Sequence, residues 1–201
     1  GGGVREHCYY TGQISWGPQA WDTAGTRTGG TNIQHLVSTG SKCATPVGEH
    51  VFFTHGNGGG VFRIDSDWQG DFVTNAVNPG GTGPEALATD GTHLYGNDDN
   101  NTGLIHKYAI GNAAGSFTLT EVWCATTGLT RVRGLSYHEG AVYAVDAMGT
   151  NVVAVDTATG ASTVLFSLPP PAGKVYYQVV RSGDRIYVVG SDNALRVYDT
   201  D

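Results

Sequence analysis

The chain has 201 residues and a formal net charge of −7, and only 14% of it is Asp, Glu, Lys or Arg, against roughly 25% in an average globular protein. Its 39% hydrophobic and 10% aromatic content is enough for a core, which excludes a long disordered chain, a collagen and a coiled coil. No apolar run approaches the roughly 18 residues of a membrane span, and no basic cluster is present to follow phosphates, so neither membrane insertion nor nucleic-acid binding is expected.

The first predicted element is a short apolar strand in His7-Cys8-Tyr9-Tyr10-Thr11, and its pattern returns at 50–54, 93–97, 141–145 and 185–189. One column of this repeat is always aromatic: Tyr9, Phe52, Tyr95, Tyr143 and Tyr187, spaced by 43, 43, 48 and 44 residues. A Gly/Asn/Asp-rich turn then leads to a further strand at 19–22, 61–65, 105–108, 152–156 and 195–199, and four of these five end in Asp: Asp22, Asp65, Asp156 and Asp199. An apolar stretch precedes every aromatic strand but the first, at 43–47, 86–89, 134–137 and 176–180. A fourth strand follows at 31–37, 72–77, 117–123 and 163–166.

Val, Ile, Thr and Tyr dominate these segments, and turns fall between them too often for a helical repeat. Four short antiparallel strands recurring every 43–48 residues are the signature of a β-propeller blade. The expectation is one all-β domain over residues 1–201 with about five blade repeats, its aromatic column buried between neighbouring blades. The first blade lacks its innermost strand and the last stops after its third, so either five blades close with imperfect terminal pairing or, the favoured account, the repeats are consecutive blades of a six- or seven-bladed ring. Open strand edges would then favour self-association.

The blade with Ala141-Val142-Tyr143-Ala144-Val145-Asp146 followed by Val152-Val153-Ala154-Val155-Asp156 resembles the broad NHL, YVTN and YWTD-like group of propellers. Gly183-Asp184-Arg185-Ile186-Tyr187-Val188-Val189 and Leu195-Arg196-Val197-Tyr198-Asp199 are similar to the same pattern. The resemblance implies a blade and no particular chemistry, because such propellers include binding modules, structural domains, lyases, hydrolases and dehydrogenases.

Candidate site residues follow from blade geometry. Loops joining one blade to the next, and those joining second to third strands, gather on one face around the channel mouth. The inter-blade loops carry Lys42, Glu85, Arg131, Arg133, Lys174 and Tyr176, and the tips of the second strands carry His55, Asp98, Asp99 and Asp146. Arg131-Val132-Arg133 sets two guanidinium groups on one side of an extended segment, and with Lys174 one blade later they form an expected site for a carboxylate or sulfate. The ligand-binding set is thus His55, Asp98, Arg131, Arg133, Asp146, Lys174 and Tyr176. The competing reading pairs the arginines with Asp146. Glu49, Glu139 and Asp184 mark the opposite face, where tight turns give little depth.

Other motifs carry less. Asp65-Ser66-Asp67-Trp68-Gln69-Gly70-Asp71 reads partly as a calcium loop, but Ala76 stands where the bidentate Glu belongs. Asn97-Asp98-Asp99-Asn100-Asn101-Thr102 is explained by a hairpin turn without an ion, so no cofactor is expected. His7, His50 and His93 share one repeat position and read as structural, while His138 falls in a predicted turn. His55 would be the general base of an enzyme, with Arg133 as the charge stabiliser. Cys8, Cys43 and Cys124 lack metal-ligand spacing and allow one disulfide plus a free thiol. Asn100-Asn101-Thr102 is an N-glycosylation sequon. The opening Gly1-Gly2-Gly3-Val4 reads as a processed product or a piece of something longer. With only three Lys and abundant Gly and Thr, these features point to an extracellular setting. The expected function is a non-catalytic module that binds a glycan or a protein, or serves an assembly. The alternative is a polysaccharide lyase acting on uronate polymers, in which the cationic side chains neutralise the uronate and His55 or Tyr176 abstracts its α-proton.

Overall fold

The computed structural model describes residues 8–10, 19–21, 27–30, 43–48, 50–54, 61–64, 70–73, 84–98, 102–113, 116–169, 173 and 175–200. Among them the only regular elements are strands, arranged in five antiparallel sheets. The first sheet holds β1 (Cys8–Tyr10), β2 (Gln19–Trp21) and β3 (Arg27–Gly30). The second holds β4 (Ala44–Val47), β5 (His50–Thr54), β6 (Val61–Ile64) and β7 (Gly70–Val73). The third holds β8 (Leu87–Thr89), β9 (His93–Asn97), β10 (Leu104–Ala113) and β11 (Ser116–Thr126). The fourth holds β12 (Val132–His138), β13 (Ala141–Asp146), β14 (Asn151–Asp156) and β15 (Ser162–Ser167). The fifth holds β16 (Tyr176–Ser182), β17 (Arg185–Gly190) and β18 (Leu195–Asp199).

Within every sheet the strands pair in chain order, and the first strands of successive four-strand units, β4, β8, β12 and β16, lie side by side. This is a β-propeller: meandering blades with their first strands innermost. Where β12 meets β16 the two backbones nearly touch. A Cβ at Gly134 would sit 2.5 Å from the Gln178 Cα and 2.7 Å from the Tyr177 carbonyl oxygen, so only glycine admits this approach.

Three apolar clusters fill the spaces between blades. Phe52 and Val61 pack on Leu87, Leu94, Tyr108 and Leu119 of the third blade. Tyr95, Ile105 and Ala125 pack on Leu129, Val132, Leu135 and Val142 of the fourth. Tyr143, Val145 and Val152 pack on Tyr176, Val179, Ile186 and Val188 of the fifth. The aromatic column is therefore core at Phe52, Tyr95 and Tyr143. Tyr187 is only half-buried. Its cross-strand neighbours Val180 and Val197 are exposed on the same face, since no described sheet follows to cover it. The side chain of Tyr9 lies outside the described residues.

Second and third strands fall where the repeat places them, but the outer strands differ. In the first blade the described outer strand is β3 at 27–30, and the expected 31–37 lies outside the described residues. In the second, β7 is described at 70–73 and so starts two residues before the expected 72–77, of which 74–77 lie outside the described residues. The β10–β11 ladder runs from Leu104↔Thr126 out to Ala113↔Ser116, well past the predicted 105–108 and 117–123. Gly111, between the two expected strands, continues β10, and its missing Cβ leaves room for Thr118 Oγ1. The Asp column keeps its turn role at Asp156, whose Oδ1 accepts the amides of Ala158 and Thr159 at 3.0 and 2.7 Å. Hydrogen bonds from the Thr159 hydroxyl and amide hold that carboxyl below its ordinary range. Asp199 instead pairs with Arg185 across β17–β18 at 3.3 Å.

Candidate functional site

A repeated side-chain contact closes the second to fifth blades at the end where β12 begins and β13 ends. A polar residue at or just past the end of the aromatic strand accepts a backbone amide at the entry to the inner strand. Thr54 Oγ1 accepts Cys43 N–H at 3.1 Å, Asn97 Oδ1 accepts Ala86 N–H at 2.8 Å, and Ser191 Oγ accepts Val175 N–H at 3.0 Å. In the fourth blade Asp146 takes this part, with its two oxygens accepting Thr130, Arg131 and Met148 amides at 2.9, 3.2 and 3.0 Å. Asp146 is 4% exposed; its carboxylate is satisfied by amides and serves as a positioning group for Arg131. Asn97 also donates through Nδ2 to the Val132 carbonyl at 2.9 Å, tying the third blade to the fourth.

Arg131 finds its carboxylate one blade back. Its Nε and Nη2 donate to the two Glu85 oxygens at 3.1 and 2.7 Å, the bidentate fork that suits a guanidinium. Glu85 is 2% exposed in its side chain, so this pair is the buried floor of the cluster. Arg133 approaches the same carboxylate at 3.6 Å, beyond hydrogen-bond length, and lies over the Tyr177 ring at 5.0 Å from its centroid. With 31% of its side chain exposed and Tyr177 43% exposed, the two make a cationic, aromatic platform beside β12 and β16. A carboxylate or sulfate meeting Arg133 would be held by charge-assisted hydrogen bonds.

Arg131, Arg133 and Asp146 are thus brought together. Asp98 sits in the β9–β10 loop, where it accepts the Thr102 hydroxyl at 3.1 Å. Tyr176 is buried at 1% exposure, and its hydroxyl donates to the Pro169 carbonyl at 2.6 Å. Burial pushes that phenol up, which removes it further from service as a base. His55, Lys174, Asn100 and the calcium-like loop at 65–69 lie outside the described residues. His138 closes β12 instead of forming the turn, which is Glu139-Gly140. Cys43 and Cys124 are free thiols, so they do not form the one disulfide with each other. Sequence reasoning set Glu85 in an inter-blade loop but left it out of the ligand-binding set, and it left Tyr177 out altogether. The signal was in the repeat: counted from the aromatic column, Glu85, Arg133 and Tyr177 hold equivalent positions in successive blades, and equivalent positions of adjacent blades are neighbours around the axis.

No protein-family model matches the chain, and no curated protein sequence matches it. Solved structures do match in fold. Virginiamycin B lyase from Staphylococcus aureus superposes with a TM-score of 0.63 at 16% identity, over 98% of this chain and 68% of that one. A protein of unknown function from Bacteroides thetaiotaomicron gives a TM-score of 0.71 at 14% identity, over 96% of this chain and 56% of that one. The computationally designed Ika4 protein gives 0.58 at 13% identity, over 80% of this chain and 91% of that one. The chain thus spans a little over half of the Bacteroides protein. These similarities establish the β-propeller fold.

Proposed function

We propose that this propeller is a binding module whose axial face takes an acidic ligand, a uronate- or sulfate-bearing glycan or an acidic protein segment, on the Arg133–Tyr177 platform. The observation that carries the reading is the division of labour between the arginines. Glu85 engages Arg131 in a buried fork, while Arg133 stays half-exposed over an exposed aromatic ring. An aromatic face beside a guanidinium suits a sugar ring bearing a carboxylate. Asp98, Asp146 and Tyr176 belong to this reading as the frame of the face, with His55 and Lys174 at its rim and Asn100 as a glycosylation site. An extracellular setting, no cofactor and self-association through open strand edges complete it. Within the propellers, the Ala141–Asp146 and Val152–Asp156 pattern favours the NHL, YVTN and YWTD-like group.

The second reading is a lyase on uronate polymers, with Arg133 neutralising the uronate and His55 as base; one fold neighbour is itself a lyase, named for a different substrate. One experiment separates the two. Binding of polygalacturonate is measured by calorimetry at two salt concentrations for the protein and Arg133→Ala, and the mixture is assayed for unsaturated uronate. The binding reading expects salt-sensitive affinity that falls about tenfold in the variant, of the order of one charge-assisted contact, without new product. Unchanged affinity removes the site, and an unsaturated product replaces the module with the lyase.

A further inference from the structure

The β10–β11 hairpin sets a thiol, an imidazole and a carboxylate in line, away from the arginine platform. His106 and Cys124 pair directly across the ladder, and Cys124 Sγ lies 3.9 Å from His106 Nε2. On the other side of the ring, His106 Nδ1 lies 2.7 Å from Glu121 Oε2. This geometry assigns the tautomer: Nδ1–H donates to Glu121, and the lone pair on Nε2 faces the thiol. The stacked Tyr108 ring, 5.8 Å from the imidazole, holds it from the flank.

A β-bulge creates the arrangement. The register shifts between Lys107 and Tyr108, so that Trp123 pairs with Lys107 while Glu121 pairs with Tyr108 and Val122 is the extra residue. In an unbroken ladder Val122 would share the face of Cys124. The bulge gives that place to Glu121, the kind of re-aiming for which bulges recur beside reactive groups. Cys124 is exposed, whereas only 14% of the His106 side chain is, so the base is sheltered and the nucleophile accessible. Cys43 is the internal contrast: its sulfur accepts the Leu87 amide at 3.3 Å, and burial pushes its thiol up.

We propose that Cys124 is a covalent modification site for small disulfides, with His106 as its general base and Glu121 as the residue that positions the base. His106 Nε2 takes the Sγ–H proton as the sulfur attacks one sulfur atom of R–S–S–R. The Cys124–S bond forms, the R–S–S–R bond breaks, and the departing thiolate takes the proton from the imidazolium and leaves as RSH. The Cys124 sulfur is oxidised to the mixed disulfide, one half of the reagent is reduced to a thiol, and the imidazole ends neutral. Burial, and after it the charges of Glu121 and Asp98, hold the Cys124 thiol above its ordinary range. The thiolate must therefore be made during the reaction, and a base within reach governs the rate.

The test incubates the folded protein with oxidised glutathione and follows each cysteine by peptide mass spectrometry. Glutathionylation is expected at Cys124 ahead of Cys43. His106→Gln is expected to slow it at least about tenfold, a modest share of what general bases supply, and added imidazole should restore part of the loss. Glu121→Gln should fall between the two, with thermal melts confirming that the variants are folded. A His106→Gln rate equal to wild type, a loss that imidazole does not recover, or faster labelling of Cys43 overturns the proposal.

Discussion

Asp90 holds the turn between β8 and β9 with one carboxylate. Its Oδ1 accepts the amides of Thr92 and His93 at 2.8 and 2.7 Å, and its Oδ2 accepts the Tyr95 hydroxyl at 2.7 Å. Burial alone would raise this carboxyl, but the Tyr95, Thr92 and His93 hydrogen bonds outweigh it and hold the group well below the usual carboxylate range. A depressed folded-state pKa means that the stabilisation is complete above the unfolded value of about 3.9 and is lost as the pH falls from there toward the folded value. Asp90→Asn should therefore melt below wild type at neutral pH, and the gap should narrow on acidification from about pH 5 to about pH 2. A gap that stays constant in scanning calorimetry would contradict this account. At this scale the sequence is only partly readable. Asp156 announces its turn by the Asp-Thr-Ala-Thr-Gly that follows strand three, whereas the choice of Glu85 over Asp146 as the partner of Arg131 depends on which groups the fold sets side by side.

Among elements, the second and third strands were the most legible, because each is flanked by a turn and alternates residues that face two different neighbouring blades. The outermost strands were the least. β15 packs one side only and is half-buried or exposed along its length, so its composition carries little constraint, and the β10–β11 hairpin extends through Gly111 past the expected strand ends. The same logic sets unequal costs along the aromatic column. Tyr143 is covered by the fifth blade, and its hydroxyl accepts a hydrogen bond from Arg181 at 2.9 Å. Tyr143→Ala should cost roughly 3 kcal/mol or more, and the half-buried Tyr187→Ala about half of that or less. Urea denaturation of the two variants checks the difference, and equal losses would mean that the column is not graded by the next blade.

For the whole molecule, the repeat gave the blade architecture, while the function had to be sought in how neighbouring blades juxtapose side chains. The fifth sheet turns Val180, Val189, Leu195 and Val197 outward, with Leu195 61% exposed, on the face that the preceding blades bury. Such a surface favours association. The protein should show concentration-dependent self-association in sedimentation equilibrium, reduced by Val197→Lys; a monomer at every concentration would contradict it.

The central claim, an acidic-ligand site on the arginine face, is tested most directly by following amide and side-chain NMR signals during titration with oligogalacturonate. The account predicts saturable shifts at Arg133, Tyr177 and their neighbours in β12 and β16, with Glu139, Gly140 and Gly183 on the opposite face unmoved. Shifts confined to that opposite face, or none at all, would contradict it.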